Sequence, residues 1–162
     1  MAISVVARDN PDRPAIIAPK GNRSFAELNA NANRVGRLLR RVGLKPGDGV
    51  ALLCSNRPEF VEIIMGVMRC GLRITPVNWH LTADEVRYIV DDCEARVLFA
   101  EATFGEPARL SLQEPGVDIG FAIGGEIGGF RSFDAALEAE SGEDIGDPAI
   151  GERMLYTSGT TG

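Results

Sequence analysis

The sequence predicts a layered α/β fold in which a mainly parallel sheet is flanked by helices. Residues 50–54, and residues 96–100 after the initial Arg96, are apolar without alternation, which is typical of strands buried on both faces. Segments with apolar residues at helical spacing separate these runs. The strand–helix unit recurs four or five times, too closely for separate domains. Right-handed crossovers join such units into a parallel sheet.

Two helices are predicted to begin at capping boxes, the S/T-x-x-E pattern that satisfies free N–H groups at a helix start. Ser24 with Glu27 forms the first box, and Thr82 with Glu85 forms the second. Gly43 ends the first of these helices. A third helix begins at Pro58, because proline suits the first helical turn.

The other elements follow from shorter signals, mainly turn residues and apolar runs. They are a helical or irregular lead-in at residues 2–8, a hairpin of 15–18 and 23–25, an extended segment at 73–78, a helical segment within 103–114, a strand at 121–123, a helix capped by Ser132 and running to about Glu140, an acidic connector from Ser141 to Glu152, and a strand at Met154–Leu155.

The net charge of −6 is unevenly distributed along the chain. Residues 1–50 carry a net charge of +5, whereas residues 101–162 carry −9. An acidic second half argues against nucleic acid as the main partner. The basic cluster Arg34, Arg37, Arg40 and Arg41 is interpreted as a solvated helix face in preference to an anion-binding patch.

Three widely spaced cysteines, Cys54, Cys70 and Cys93, lie in apolar stretches and form no CxxC pair. Together with the single His80 they give no metal-binding pattern. Buried, reduced thiols are therefore expected, which favours a cytoplasmic location. The first residues lack the basic region of a signal peptide, and no run reaches the roughly 20 apolar residues of a membrane span.

The last seven residues form a hydroxyl- and glycine-rich segment after the apolar pair Met154–Leu155. Small residues allow backbone N–H groups and hydroxyls to converge on a phosphate chain. The segment is not a Walker A loop, because only two residues separate Gly159 from Gly162. The candidate phosphate-binding residues are Thr157, Ser158, Gly159, Thr160, Thr161 and Gly162.

Residues 156–162, Tyr-Thr-Ser-Gly-Thr-Thr-Gly, resemble the phosphate-loop signature of the AMP-forming acyl-adenylate enzymes. That superfamily includes acyl-CoA synthetases, peptide-synthetase adenylation domains and luciferases. Further similarities occur in the family's order across residues 11–162. They are the segments Ser-Phe-Ala-Glu-Leu at 24–28, Gly-Asp-Gly-Val-Ala at 47–51, Asn-Arg-Pro-Glu-Phe at 56–60, 71–78 with its Pro-Val-Asn, and Leu-Thr-Ala-Asp-Glu at 81–85.

The resemblance implies that Thr157, Ser158, Thr160 and Thr161 donate hydrogen bonds to the β- and γ-phosphates of ATP. It also implies that Gly159 and Gly162 let the backbone approach closely. The family's loop continues with Pro-Lys-Gly, so residues 1–162 are expected to be a partial N-terminal AMP-binding domain that ends within the loop. No catalytic or metal-binding residue is assigned within them.

The resemblance further implies that the complete protein is an acyl-CoA synthetase. It would use ATP and Mg²⁺ to activate a fatty or related carboxylic acid as acyl-AMP, and would then transfer the acyl group to CoA. A peptide-synthetase adenylation domain is the nearest alternative, and a non-catalytic nucleotide-binding or scaffold module is a second. The residues present are expected to be inactive alone, and to associate with themselves through exposed apolar surface.

Two other polar groups are interpreted as non-catalytic. Trp79–His80 has no nucleophile or carboxylate placed by a motif, so packing at a sheet edge or lobe boundary is favoured over catalysis. The acid pairs Asp91–Asp92 and Glu138/Glu140 are interpreted as solvated helix faces.

Overall fold

The computed structural model describes residues 2–113 and 116–157, and contains six α-helices and eight strands within them. The helices are α1 (Ala2–Asp9), α2 (Phe25–Arg41), α3 (Pro58–Met68), α4 (Ala83–Asp92), α5 (Gly105–Leu110) and α6 (Phe133–Glu138). The strands are β1 (Pro14–Ala18), β2 (Gly21–Ser24), β3 (Gly49–Leu53), β4 (Arg73–Val77), β5 (Ala95–Glu101), β6 (Ile119–Ile123), β7 (Arg131–Ser132) and β8 (Glu152–Arg153).

Six of the strands form one sheet in the order β7-β6-β5-β3-β4-β8, and every neighbouring pair in it is parallel. This confirms the predicted fold class. The strands β1 and β2 form a separate antiparallel hairpin, as predicted. No helix in the described part of the chain is long and apolar enough to cross a membrane.

Side chains on the two faces of the sheet enter different hydrophobic cores. Along β3, Val50 and Leu52 belong to a core with α2, α3 and α6, whereas Ala51 and Leu53 belong to a core with α4 and α5. Alternate residues of a strand point to opposite faces, so a strand covered on both sides is apolar throughout. The chain therefore folds into three layers, with the sheet in the middle.

Both predicted capping boxes are present. The Ser24 hydroxyl accepts a hydrogen bond of 3.2 Å from the Glu27 N–H, and the Glu27 carboxylate accepts one of 2.7 Å from the Ser24 N–H. Thr82 and Glu85 exchange the same pair of bonds at the start of α4. A cap of this kind contributes about 1 kcal/mol to the stability of a helix.

A glycine sets the spacing between α2 and α3. A Cβ placed on Gly66 would lie 2.5 Å from the Val35 Cβ and 2.7 Å from the Ala32 carbonyl oxygen. Real Cβ atoms do not approach other atoms this closely, so the two helix backbones can pack at this distance only because position 66 lacks a side chain.

The last strand differs from the prediction, since β8 is Glu152–Arg153 and not Met154–Leu155. The Met154 N–H still donates a 2.9 Å hydrogen bond to the Ile74 carbonyl on β4. The next bond of a parallel ladder would need an N–H at position 76, and Pro76 has none. The pairing therefore stops at Met154.

Three smaller elements also differ from expectation. The segment predicted as helical within 103–114 consists of a 3₁₀ turn, Ala102–Phe104, followed by α5, which ends at Leu110. Helix α6 ends at Glu138, shortly before the expected Glu140, whose side chain and carbonyl already accept bonds from arginines of α2. Strand β7 was not predicted, because two exposed residues carry no periodic signal.

The basic face of α2 is only partly solvated, since Arg40 and Arg41 are exposed but Arg34 and Arg37 are half-buried. The connector between α6 and β8 spans residues 139–151 and not the expected 141–152; this range, which we call the acidic connector from here on, lies along α2. Arg34 and Arg41 donate to Glu140, Arg37 donates to backbone carbonyls of the connector, and Arg40 donates to Asp147. The arginines thus bind another part of the same chain, and Glu140 is correspondingly not a free surface acid.

Candidate functional site

The candidate site lies at the carboxyl end of the parallel strands, where β4 and β8 lead into loops. Thr157 is the candidate phosphate-binding residue that the structure describes, and it is exposed. The other five candidates, Ser158, Gly159, Thr160, Thr161 and Gly162, lie outside the described residues. A groove of about 750 Å³ borders the site and is lined by Pro76, Asn78, Leu81, Tyr88, Tyr156 and Thr157 among others. Ligands of parallel sheets bind at this edge.

Tyr156 is held from two sides immediately before Thr157. Its ring packs against the hydrophobic core on the α4 side of the sheet. Its hydroxyl donates a hydrogen bond to the Asp92 carboxylate at the end of α4. Burial, this hydrogen bond and the negative charge of Asp92 raise the pKa of Tyr156 above its ordinary value, so the hydroxyl stays a donor. Asp92 is exposed, as predicted, but it is also a bonding partner of the site.

Trp79 and His80 lie at the same edge and are engaged in packing. Their rings are 3.6 Å apart between centroids, and Trp79 also stacks on Phe104 at 5.6 Å. The backbone N–H of His80 donates a 3.0 Å hydrogen bond to the side-chain oxygen of Asn78. These contacts support the interpretation of the pair as a packing element.

A buried carboxylate that the sequence analysis did not single out lies further along the edge, at the end of β5. Glu101 accepts hydrogen bonds from the Ser55 N–H at 3.0 Å and from the Lys20 ammonium, and Arg57 lies 3.5 Å away. Burial alone would raise the pKa of Glu101, but the bonds from Lys20 and Ser55 outweigh it and hold the pKa at about 2. Glu101 is therefore ionised at neutral pH.

The hydrogen bonds of Glu101 join three segments of the chain and leave neither of its carboxylate oxygens free to act as a base. Both carboxylate oxygens are occupied, one by Lys20 of the β1–β2 turn and the other by the loop after β3. Its partners are 81 and 46 positions away in sequence, so no local motif marks it. The feature of the sequence that could have indicated Glu101 is its position as a charged residue directly after an apolar strand, at the edge where ligands bind.

A second charged cluster joins the hairpin to α2 and α3. Glu62 accepts hydrogen bonds of 2.7 Å from Arg23 and 2.8 Å from Asn31. Burial raises the pKa of Glu62 in spite of these bonds. Neighbouring Glu59 is held by Arg57 at 2.7 Å, which lowers the pKa of Glu59 against the effect of its burial. The cluster borders a cavity of about 460 Å³, and its opposite charges are already paired.

The three cysteines are buried free thiols, which confirms the sequence interpretation. Burial raises the pKa of all three thiols, that of Cys54 to about 12. No group of three or more His, Cys, Asp or Glu side chains within the described ranges is arranged to hold a metal ion.

The structure defines a three-layer α/β domain in which Thr157 lies at the carboxyl edge of a parallel sheet, the edge at which ligands of such sheets bind. Residues 3–162 match the AMP-binding enzyme family, and the chain belongs to that family. The resemblance of the sequence motifs is thereby confirmed at the level of the family.

Two sequence relatives and one solved structure are similar to nearly the whole chain. The fatty acid–[acyl-carrier-protein] ligase ScoC of Streptomyces coeruleorubidus is 32% identical, over 96% of this chain and 30% of its own. Tyrocidine synthase 3 of Brevibacillus parabrevis is 29% identical over 94% of this chain and 2% of its own. The crystal structure of the anthranilate CoA ligase AuaEII with anthranoyl-AMP superposes with a TM-score of 0.87 at 27% identity, over 99% of this chain and 33% of AuaEII.

The chain thus spans about a third of the length of ScoC and AuaEII. AuaEII shares the fold of this chain, as its TM-score shows, and both ScoC and AuaEII are named as ligases.

Proposed function

We propose that this chain is the N-terminal part of an ATP-dependent acid–thiol ligase that activates a fatty or related carboxylic acid and transfers it to CoA. The observation that carries the proposal is where the signature segment begins in the fold. In a chain of the AMP-binding family, Tyr156 and Thr157, the first two residues of the signature segment, lie just beyond β8 at the carboxyl edge of the parallel sheet and line an open groove. The residues present supply phosphate contacts, and other parts of the protein supply the rest of the site.

The proposed reaction has two steps. In the first, an oxygen of the acid's carboxylate attacks the α-phosphorus of ATP, the bond to the bridging oxygen breaks, and pyrophosphate leaves. In the second, the CoA thiolate attacks the acyl carbon and AMP leaves with the bonding electron pair. Charge grows on the leaving phosphates during the first step, so donors fixed around them before reaction lower its barrier.

The phosphate contacts are proposed for the hydroxyls of Thr157, Ser158, Thr160 and Thr161, with Gly159 and Gly162 allowing close approach of the backbone. Mg²⁺ is proposed as part of the substrate, MgATP, in which the ion neutralises phosphate charge.

The second candidate is an adenylation domain of a peptide synthetase, which the match to tyrocidine synthase 3 favours. The two candidates share the first step and differ in the thiol that accepts the acyl group. A carrier domain attached to the same polypeptide would favour the second candidate. The anthranilate CoA ligase AuaEII, whose named acceptor is CoA, supports the first candidate, whereas ScoC is named for an acyl-carrier protein as acceptor and does not separate the two.

The direct test is pyrophosphate release by the intact protein with ATP, Mg²⁺, CoA and a panel of carboxylic acids. Release that depends on one class of acid, with formation of its CoA thioester, is the expected result. Absence of release with every acid would overturn the proposal.

Substitution tests the loop itself. Thr160→Val is expected to lower kcat/KM for ATP about ten-fold or more, since it removes one donor to the leaving phosphates. The matched control is Thr103→Val, in an exposed 3₁₀ turn after β5 and outside residues 156–162. An unchanged rate for Thr160→Val would remove the proposed role of the segment.

Two further proposals concern the setting of the protein. A cytoplasmic location is supported by three buried thiols that form no disulfide among themselves. Self-association of the chain is supported by Ile150 and Leu155 beside the edge strand β8, which are 89% and 67% exposed. A single monomeric species in sedimentation velocity at micromolar concentration would contradict self-association.

A further inference from the structure

Helix α4 ends in two acids at a position where acids are unfavourable. Asp91 and Asp92 occupy its last turn, which contains no basic residue. The C-terminal end of a helix carries partial negative charge, so carboxylates there reduce helix stability. Their placement is therefore not explained by the helix itself.

The two acids have different partners. Asp91 is paired within α4 with Arg87, at 3.6 Å. Asp92 instead accepts a hydrogen bond from the Tyr156 hydroxyl, a residue 64 positions further along the chain. Asp91 thus forms an ion pair on the surface of α4, whereas Asp92 joins α4 to the segment that enters the candidate phosphate loop.

The chain between β8 and Thr157 has few attachments. The Met154 N–H bonds to the Ile74 carbonyl at 2.9 Å, and Pro76 prevents the ladder from continuing. Leu155 is 67% exposed. Within residues 154–157, the next hydrogen bond that the structure describes is the one from Tyr156 to Asp92, immediately before Thr157.

We propose that Asp92 is a positioning residue for ATP binding, acting through Tyr156. The bond fixes the backbone at the start of the phosphate-binding segment before the nucleotide arrives. A segment ordered in advance loses less conformational entropy when ligand binds, which strengthens binding. This inference rests on the proposed function of residues 157–162, since it assigns Asp92 a role in that same site.

The first experiment measures how the hydrogen bond between Tyr156 and Asp92 affects the backbone, and it needs no enzymatic reaction. Hydrogen–deuterium exchange of a peptide containing residues 154–157 is compared between the intact wild-type protein and its variants. Asp92→Ala and Tyr156→Phe should each speed exchange about ten-fold, the effect of losing one hydrogen bond to a charged group. Asp92→Asn keeps an accepting oxygen and should exchange nearly as slowly as wild type.

The matched control is Asp91→Ala, which removes the neighbouring acid of the same turn and leaves Tyr156 bonded. It should leave exchange at residues 154–157 unchanged. Faster exchange in Asp91→Ala, equal to that in Asp92→Ala, would show a general effect of charge at the helix end and would overturn the inference. So would unchanged exchange in Asp92→Ala.

The second experiment separates positioning from simple stability. Asp92→Ala and Tyr156→Phe should raise the KM for ATP about five- to ten-fold while kcat changes less than two-fold, and the double variant should be no worse than either single variant. Faster exchange with an unchanged KM for ATP would overturn the role in ATP binding. If the wild-type protein releases no pyrophosphate, the proposed ligase function fails. The inference is then tested by the Kd for ATP, measured by calorimetry. A Kd raised in Asp92→Ala and Tyr156→Phe would support the inference, and an unchanged Kd would overturn it.

Discussion

The Arg40 guanidinium donates a 2.7 Å hydrogen bond to the Asp147 carboxylate, 107 positions later in the chain. This bond lowers the pKa of Asp147 and belongs to a row of arginine contacts along α2. The contacts hold the acidic connector in place, and the connector leads directly to β8. Its last residues bond to the turn after α3, with the Ala149 N–H on the Arg69 carbonyl at 2.9 Å and the Gly151 N–H on the Met68 carbonyl at 2.7 Å. The basic face of α2 therefore helps to position the strand that precedes the candidate site.

Replacing Arg37 tests this arrangement. Arg37 donates to the carbonyls of Ser141, Glu143 and Asp144, so Arg37→Ala removes three bonds to the connector backbone. Because the site is partly exposed, the expected loss in the free energy of unfolding is about 1 kcal/mol. The measurement is urea unfolding, together with amide exchange across residues 141–151, which should accelerate.

Arg87→Ala is the control for Arg37→Ala, because Arg87 forms a helix-surface pair with Asp91 at 3.6 Å. Such a pair contributes about 0.3–0.5 kcal/mol. Equal losses in the two variants, with no change in exchange of the connector, would contradict the role assigned to Arg37.

The contacts of α2 illustrate what sequence can and cannot predict. The helix itself was predicted correctly from a capping box and apolar spacing, because both signals are local. The partner of its basic face was not, since the acidic connector lies about a hundred residues away. A row of arginines has the same pattern whether water or another segment covers it.

The candidate site likewise has features that the sequence predicts and features that it does not. The position of Thr157 at the carboxyl edge follows from strand order and was predicted, whereas the cluster around Glu101 depends on contacts between three distant segments. The shift of the last strand was predictable in principle. Pro76 is visible in the sequence, and its missing N–H ends the pairing with β8.

Gly66→Ala tests the close packing of α2 on α3. The new methyl would meet Val35 and the Ala32 carbonyl at distances below van der Waals contact, so the helices must move apart. The expected destabilisation is about 1–3 kcal/mol, even though alanine favours a helix more than glycine does. Gly146→Ala is the control, because a Cβ there meets nothing within 4 Å. A stabilised Gly66→Ala variant in thermal unfolding would contradict the packing.

The thiols provide a test of the core. Burial raises the pKa of Cys54, Cys70 and Cys93, and the thiolate is the reactive form. At pH 8 a disulfide reagent such as DTNB should therefore label the native chain very slowly. Unfolding in guanidinium should make all three thiols react at once. Rapid labelling of any thiol in the native chain would show that it is not buried as described.

Glu101→Gln tests the buried cluster and its pH dependence. The pKa of Glu101 is about 2 in the folded chain, below the ordinary value of about 4.3 for an unfolded chain. A lowered pKa means that the carboxylate stabilises the fold above the unfolded pKa and loses this effect as pH falls from about 5 towards 2. The amide of glutamine cannot balance the charge of Lys20 or Arg57. The expected loss at pH 7 is about 3 kcal/mol.

The comparison that decides this prediction is the difference between variant and wild type across pH. Urea unfolding at pH 7, 5, 4 and 3 should show the difference shrinking as Glu101 of the wild type becomes protonated in the unfolded state. The control is Glu94→Gln, whose side chain is 86% exposed and lies 3.7 Å from Arg73, and which should change stability by less than about 0.5 kcal/mol at any pH. A difference for Glu101→Gln that stays constant from pH 7 to pH 3 would mean that the loss comes from packing, and that ionisation of Glu101 does not stabilise the link between the hairpin and the sheet.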